Sequence, residues 1–231
     1  LASLRQQVDV DISDFEVIVT DDSSESSEFE RIKRTVRDTP FTCHLLHQQA
    51  DRFWATRARN NAIRIAQGDT LLFFDGDMIP EMNALSKHLL LHSTYKKQII
   101  AGHRLRRIIH LKDTDNAPNF DDILVACRAN SSPDPVMVRR QRDEERKRNE
   151  FLKSKHQWRA VFSCHMSIQR APEVLFDEKF IGWGPEDWEF NHRLCTKHGY
   201  TPIYLDDITA YHLETPDAVG NVFRVGTHKE I

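Results

Sequence analysis

The stretch Thr70-Leu71-Leu72-Phe73-Phe74-Asp75-Gly76-Asp77 decides the fold, because it joins a short apolar run to two closely spaced carboxylates. An apolar run of this length before a glycine is typical of a buried strand that ends in a turn. In open α/β sheets, ligands bind beyond the carboxyl ends of the strands. Two carboxylates there repel each other unless a cation or a polar partner offsets their charge. A hard divalent cation that carries phosphate oxygens would offset that repulsion. Taken alone, Asp-x-Asp is a weak pattern, and the alternative of an Asp-Gly hairpin turn stays open.

Around this stretch, short apolar runs alternate with segments of helical periodicity. The predicted strands are 16–20, 41–46, 71–74, 99–109 and 202–205, and the predicted helices are 28–37, 53–66, 82–91 and 185–198. Strands that alternate with helices predict an α/β fold with a mainly parallel sheet and helices on both faces. A chain of 231 residues suits one domain, with or without a lid.

A second motif, Gly182-Trp183-Gly184-Pro185-Glu186-Asp187-Trp188-Glu189, places two adjacent carboxylates in the first turn of a helix. The helix dipole favours negative charge there, so the motif is expected to keep Asp187 ionised and to lower its basicity. Trp183 offers a flat apolar face beside these carboxylates. The alternative is an ordinary acidic helix start beside a packed indole.

A third candidate is His212, which follows the predicted strand 202–205 and a turn at Asp206-Asp207. A neutral imidazole beside a carboxylate and phosphate oxygens forms a reasonable set of ligands for manganese. A lone histidine is more often structural, and that alternative stays open. His88 and His92 lie four residues apart on a predicted helix, but no further ligand of a zinc motif accompanies them, so we expect a surface pair.

Taken in chain order, these motifs resemble the GT-A glycosyltransferases, in particular family 2 enzymes with a galactosyltransferase-type Gly-Trp-Gly-x-Glu-Asp motif near the carboxyl terminus. Residues 14–24 are similar to the family's second strand with its Asp-Asp-x-Ser turn, and residues 58–62 to the helix before the Asp-x-Asp strand. Residues 166–170 resemble its Asn-x-Ser-x-x-Arg strand, although His165 stands where an Asn is usual. The resemblance implies a GT-A, Rossmann-like fold over 1–231. Because residues 1–7 read as the end of a helix, the family's first strand is expected to be lacking.

The resemblance also implies the donor side of a site. It makes Asp77 and His212 the ligands of Mn²⁺ or Mg²⁺, and it places Asp75 against the ribose or a metal-bound water. Asp22 is where similar enzymes contact the nucleoside. Arg59 either supports the donor or forms a structural ion pair. The expected donor is a sugar on a nucleoside diphosphate, with UDP as the carrier.

On the acceptor side, the resemblance makes Asp187 the general base, with Glu186 and Trp183 binding the acceptor. One base opposite one leaving group implies inversion at the anomeric carbon. We therefore expect a metal-dependent hexosyl- or N-acetylhexosaminyltransferase acting on a carbohydrate or glycoconjugate hydroxyl, as in polysaccharide biosynthesis. The alternatives are a nucleotidyltransferase-like enzyme and a catalytically silent nucleotide-sugar or carbohydrate-binding protein of the same fold.

Composition narrows the class of protein. The net charge of −3 argues against a general nucleic-acid binder, and no apolar run approaches the ~18 residues of a membrane span. The four cysteines form no Cys-x-x-Cys pair, which favours free thiols and a cytoplasmic location, with or without peripheral membrane contact. Residues 113–157 interrupt the pattern and predict a lid or an acceptor-side insertion. Within them, 139–148 predicts a solvated helix with salt bridges, or else a cover that brings cations to a pyrophosphate.

Overall fold

The computed structural model describes residues 1–108, 120–130, 134–171, 173–182 and 184–214. The described strands and helices alternate along most of the chain, as the sequence predicts. The strands are β1 (Glu16–Asp22), β2 (Thr42–Gln48), β3 (Thr70–Phe74), β4 (Met78–Pro80), β5 (Gln98–Ile108), β6 (His165–Gln169) and β7 (Thr201–Glu214). The α-helices are α1 (Ser26–Arg37), α2 (Ala55–Ile65), α3 (Ala84–Thr94), α4 (Phe120–Ala129), α5 (Pro135–Leu152) and α6 (Glu186–His198), with 3₁₀ turns at Ser3–Gln6 and Gln157–Ala160.

The strands form two sheets. β1 and β2 pair in parallel, and the other five lie in the order β3-β6-β5-β7-β4. Within the larger sheet, β5 and β7 are parallel, whereas β3–β6, β5–β6 and β4–β7 are antiparallel. The α/β, Rossmann-like fold class is confirmed, but the strand directions are mixed and not mainly parallel. The physical reason is that β6 lies between β3 and β5 and runs antiparallel to both. Strands β3 and β5 are therefore not neighbours, and no crossover connection places them side by side as a parallel pair.

Strand β7 is longer than predicted, because it continues past the turn at Asp206-Asp207. Its pairing with β5 shifts between Gly102 and His103, opposite residues 206–208, and then resumes as far as Glu214. Gly102 is required at this irregularity, since a Cβ there would lie 2.1 Å from the ring of His165. The continued strand carries His212 into the sheet.

The main core fixes helix α6 against the larger sheet. Phe190 and Leu194, the apolar stripe of α6, are fully buried with Met166 and Ile168 of β6. Phe190 also stacks on Phe176 with ring centroids 3.9 Å apart. The first turn of α6, with its two carboxylates, is therefore held in a defined position beside the sheet.

The expectation of a surface pair at His88 and His92 is wrong. Both side chains are buried, and both lie 2.7 Å from the hydroxyl of Ser167 on β6. His165 joins them, with its Nε2 atom 3.3 Å from Nε2 of His88. Burial lowers the pKa of His92 to about 4 and of His165 to about 3, and lowers that of His88 well below its ordinary value. The prediction of an exposed pair fails because the face of α3 that carries both histidines packs against β6.

The basic stretch 139–148 lies within α5 and is helical, as predicted. Glu144 turns inward and pairs with Arg104 at 2.8 Å and with Arg106 at 2.5 Å, both on β5. On the outer face, Arg146 pairs with Glu150 at 2.9 Å. The two ion pairs of Glu144 dock α5 on β5.

The cysteines and the described helices also bear on predictions made from the sequence. All four cysteines are free, as their spacing predicts. Among the described helices, none combines the length and the apolar character that crossing a bilayer requires.

Candidate active site

Arg59, in the middle of α2, joins the two acidic motifs. Its Nη2 donates to Oδ1 of Asp75 at 3.1 Å, and its Nη1 lies 3.8 Å from Glu186 and 4.0 Å from Asp187. Burial alone would lower the pKa of Arg59, but the charges of these carboxylates outweigh it and raise that pKa. The end of β3 and the start of α6 therefore meet at one guanidinium.

Helix α2 is held in this position by polar side chains that bond to the segment before α6. The amide of Asn60 donates to the carbonyl of Phe176 at 2.9 Å and accepts from its N–H at 2.8 Å. The hydroxyl of Thr56 donates to the carbonyl of Phe180 at 3.0 Å. Because Asn60 and Thr56 are almost fully buried, these bonds fix the register between α2 and the loop leading to α6.

Asp187 lies in a mostly enclosed position, and its side chain is 17% exposed. The hydroxyl of Ser163 donates to its Oδ1 at 2.5 Å. Burial raises the pKa of Asp187 above its ordinary value, although Arg59 and Ser163 act in the opposite direction. The expectation that the helix start lowers its basicity is therefore wrong, because desolvation outweighs the helix dipole here.

Glu186 is buried beside Asp187, and its Oε2 has no hydrogen-bond partner among the described residues. Burial and the neighbouring charge of Asp187 raise the pKa of Glu186. A buried carboxylate oxygen without a partner is costly. Because this oxygen has almost no exposed surface, it can accept a hydrogen bond only from a donor that reaches it.

Asp77 and His212 are brought together by the register of β4 and β7. Met78 pairs with His212, and the N–H of Leu213 donates to the carbonyl of Asp77 at 3.0 Å. The side chains meet as a result, with Nε2 of His212 3.4 Å from Oδ2 of Asp77. Partial burial raises the pKa of Asp77, and the nearby charges of Asp75 and Glu214 add to that effect.

The residues present fit a divalent cation at Asp77 and His212. Two atoms that share a cation through bonds of about 2.1 Å lie about 3.0–3.4 Å apart, and the observed separation is 3.4 Å. Within the described ranges, no group of three or more candidate side-chain ligands occurs. Mg²⁺ commonly takes one or two protein ligands and fills its other positions with water and substrate phosphates, so a two-ligand site is chemically reasonable.

Asp22, at the end of β1, is engaged by the protein itself. Its Oδ1 accepts from the side-chain amide of Gln48 at 2.6 Å, and its Oδ2 accepts from the N–H of Trp54 at 2.5 Å. These bonds tie β1 to the residue before α2. A carboxylate has further lone pairs that can accept hydrogen bonds. These two bonds therefore leave room for the predicted contact with a nucleoside, which stays a prediction.

The predicted acceptor-binding residue Trp183 lies outside the described residues. Gly182, just before it, has a φ of +85°, a conformation that favours glycine. The N–H of Gly182 donates to the carbonyl of Phe53 at 2.7 Å. Gly182 is thus anchored beside α2.

Two residues of the site were not predicted from the sequence. Ser163 offers no recognisable pattern, because its role depends on a contact across 24 positions of chain. The sequence did contain a signal for Glu214, because this residue follows His212 by two positions on a strand and the two side chains therefore lie on one face.

Comparison with known proteins agrees with this fold. The curated relatives include an uncharacterized glycosyltransferase, YfnE, of Bacillus subtilis (strain 168), which is 28% identical over 94% of this chain and 61% of its own length. They also include a hyaluronan synthase of Pasteurella multocida, 28% identical over 87% of this chain and 22% of its own length. The chain thus spans less than two thirds of either relative.

Solved structures show the same fold at lower sequence identity. S. aureus TarS 1–349 in complex with UDP-GlcNAc has a TM-score of 0.60 and 16% identity, covering 92% of this chain and 53% of that one. GalNAc-T7 with UDP, GalNAc and Mn²⁺ has a TM-score of 0.54 and 15% identity, covering 86% of this chain and 38% of that one. The family described as glycosyl transferase family 2 matches residues 1–171, most of the chain. The chain therefore belongs to glycosyl transferase family 2.

Proposed function

We propose that this chain transfers a sugar, with inversion, from a UDP-linked donor to a carbohydrate or glycoconjugate hydroxyl, using Mn²⁺ or Mg²⁺. The observation that carries the proposal is that Arg59 contacts both Asp75 and Asp187, which supports a single site that includes the Asp-x-Asp residues and the predicted base. The names of the structural neighbours support the donor class, since TarS was solved with UDP-GlcNAc and GalNAc-T7 with UDP, GalNAc and Mn²⁺.

On the donor side, Asp77 and His212 would hold the cation, and Asp75 would contact the ribose or a metal-bound water. A bound divalent cation supplies Lewis-acid stabilisation of the charge that builds on the leaving diphosphate. Asp22 would bind the nucleoside. Arg59 offsets the repulsion among the carboxylates that surround it, so we assign it a positioning role together with any contact to the donor.

On the acceptor side, Asp187 removes the proton from the attacking hydroxyl. The bond from Ser163 occupies Oδ1, which leaves Oδ2 for the acceptor. Burial raises the pKa of Asp187, so the carboxylate is a better base than an exposed aspartate, and general-base help is typically ~10²–10⁴-fold. Glu186 orients acceptor hydroxyls through its unpartnered oxygen. Trp183 would stack on the acceptor ring, and Gly182–Asp187 would be the galactosyltransferase-type motif.

The finer specificity is also a proposal. The hyaluronan synthase and TarS relatives support a hexose or N-acetylhexosamine as the transferred sugar and polysaccharide biosynthesis as the context. Residues 113–157 remain our candidate lid or acceptor-side insertion, and the cytoplasmic location remains a prediction. We further propose that 1–231 acts as the catalytic domain.

A donor screen tests the proposal. The protein is incubated with UDP-glucose, UDP-galactose, their N-acetyl forms and UDP-glucuronic acid, with Mn²⁺ or with a chelator. We expect metal-dependent UDP release from at least one donor and, once an acceptor is found, an inverted anomeric centre by NMR. Release of pyrophosphate would point to a nucleotidyltransferase, and no release from any donor would point to a silent binding protein.

A further inference from the structure

His212 has a second neighbour on its own strand. Its Nδ1 lies 3.0 Å from Oε1 of Glu214, while its Nε2 faces Asp77 at 3.4 Å. The buried Nδ1 has no aligned hydrogen bond among the described residues, and Oε1 of Glu214, at 3.0 Å, lies within reach of its proton. The two nitrogens of the ring therefore face two different carboxylates, one on each side.

Glu214 is itself held in place. Its side chain is 9% exposed and pairs with Arg106, which lies opposite His212 on β5. Arg106 is held in turn by Glu144 of α5, with Nε at 2.9 Å and Nη2 at 2.5 Å from one carboxylate oxygen. The Glu214 carboxylate therefore cannot swing away from the imidazole without breaking an ion pair.

We propose that Glu214 is a positioning residue that selects the tautomer of His212. A carboxylate that can only accept a hydrogen bond places the proton of the neutral ring on Nδ1. The lone pair is then on Nε2, directed at the same space as Asp77. Histidine ligands of metals are commonly oriented by such a second carboxylate, and its loss typically costs 10–100-fold in metal affinity. This inference rests on the proposed cation site at Asp77 and His212.

The competing role for Glu214 is purely structural, as a partner for Arg106. Glu144 distinguishes the two roles, because it also pairs with Arg106, whereas the ion pairs of His212 among the described residues are with Asp77 and Glu214. Removing Glu214 leaves Arg106 paired with Glu144, so the fold has a means to survive the substitution.

The test measures Mn²⁺ binding in the presence of UDP, by the EPR signal of free Mn²⁺, for wild type, Glu214→Ala, Glu214→Gln and Glu144→Gln. We expect Glu214→Ala to weaken binding about 10–100-fold, Glu214→Gln to weaken it less because its amide oxygen still accepts, and Glu144→Gln to change it by less than about threefold. Equal affinity in wild type and Glu214→Ala, or equal losses in Glu214→Ala and Glu144→Gln, would overturn the inference and leave the proposed function standing.

A second readout needs no metal. The ¹⁵N shifts of the His212 ring are expected to report the Nδ1–H tautomer in wild type and a mixture in Glu214→Gln, which preserves the shape of the side chain if Glu214→Ala fails to fold. An Nε2–H tautomer in the wild type would contradict the inference. Failure of wild type to bind Mn²⁺ with UDP would instead remove the proposed function, and the inference with it.

Discussion

Nη2 of Arg59 donates to Oδ1 of Asp75 at 3.1 Å, and this bond ties helix α2 to the turn after β3. The other terminal nitrogen of Arg59 faces Glu186 and Asp187 on α6 at 3.8 and 4.0 Å. Removing the Arg59 guanidinium would leave these three carboxylates without the positive charge that they share.

Arg59→Ala is therefore expected to lower the free energy of unfolding by about 2–3 kcal/mol. Breaking a fully buried pair costs 3–5 kcal/mol, and we discount that because Asp75 is 37% exposed. Urea unfolding measures the change. Arg64→Ala is the matched control, since Arg64 lies on the same helix but is 48% exposed, and its loss should cost less than about 1 kcal/mol. Equal effects in the two variants would contradict the central position of Arg59.

Ser163→Ala is expected to move the acid limb of the activity profile to higher pH. The hydroxyl stabilises the ionised form of Asp187 and so lowers the pKa of that carboxyl. Without it, that pKa rises, and the base becomes protonated at a pH where the wild type is still active. The profile of kcat/KM between pH 5 and 8 measures this shift. The control is Ser154→Ala, which removes a hydroxyl that bonds to the carbonyl of Phe151 and the N–H of His156. An unshifted acid limb in Ser163→Ala would contradict the contact between Ser163 and Asp187.

The buried histidines should make the fold sensitive to acid. Because the folded-state pKa of His92 is lowered to about 4 and that of His165 to about 3, the unfolded chain takes up protons below about pH 6.5 that the folded chain excludes. The stability that depends on keeping these two rings neutral is thus fully present above about pH 6.5. It is lost as the pH falls toward the folded-state pKa values, at about 1.4 kcal/mol per pH unit for each proton.

His92→Gln is accordingly expected to make the free energy of unfolding depend less steeply on pH between pH 5 and 6.5. The decrease in slope should correspond to about one proton fewer taken up on unfolding. Urea unfolding at several pH values gives this slope. An unchanged slope in His92→Gln would show that this ring titrates alike in the folded and unfolded chains.

Gly102→Ala should destabilise the junction of β5, β6 and β7. The added Cβ would lie 2.1 Å from Cε1 of His165 and 2.5 Å from the carbonyl oxygen of Ile208, and overpacking of this kind costs about 1–3 kcal/mol or more. Thermal unfolding measures the loss. At Gly76, by contrast, an added Cβ meets no atom within 4 Å, so Gly76→Ala should melt near the wild-type temperature. Similar melting of both variants would contradict the close approach at Gly102.

The sequence predicted the acidic motifs and the α/β class, because apolar runs, glycines and helix-start patterns are local signals. It did not predict the sheet register that brings Asp77 beside His212. The predicted strand 202–205 stops at Asp206-Asp207, which in the structure is an irregularity within the longer strand β7. Nor could it show that His88 and His92 face inward, because helical spacing does not reveal which face packs on a sheet. The raised pKa of Asp187 likewise depends on burial by distant segments.

The most direct test of the account compares Asp187→Asn with wild type for binding of UDP and Mn²⁺ and for sugar transfer from the donor found in the screen. We predict donor affinity within about threefold of wild type and transfer lowered by ~10²-fold or more, because the substitution removes the base and leaves Asp77 and His212 intact. Glu189→Gln, in the same helical turn and paired with Arg193 at 2.7 Å, should keep nearly full activity. Undiminished transfer by Asp187→Asn would contradict the assignment of the base.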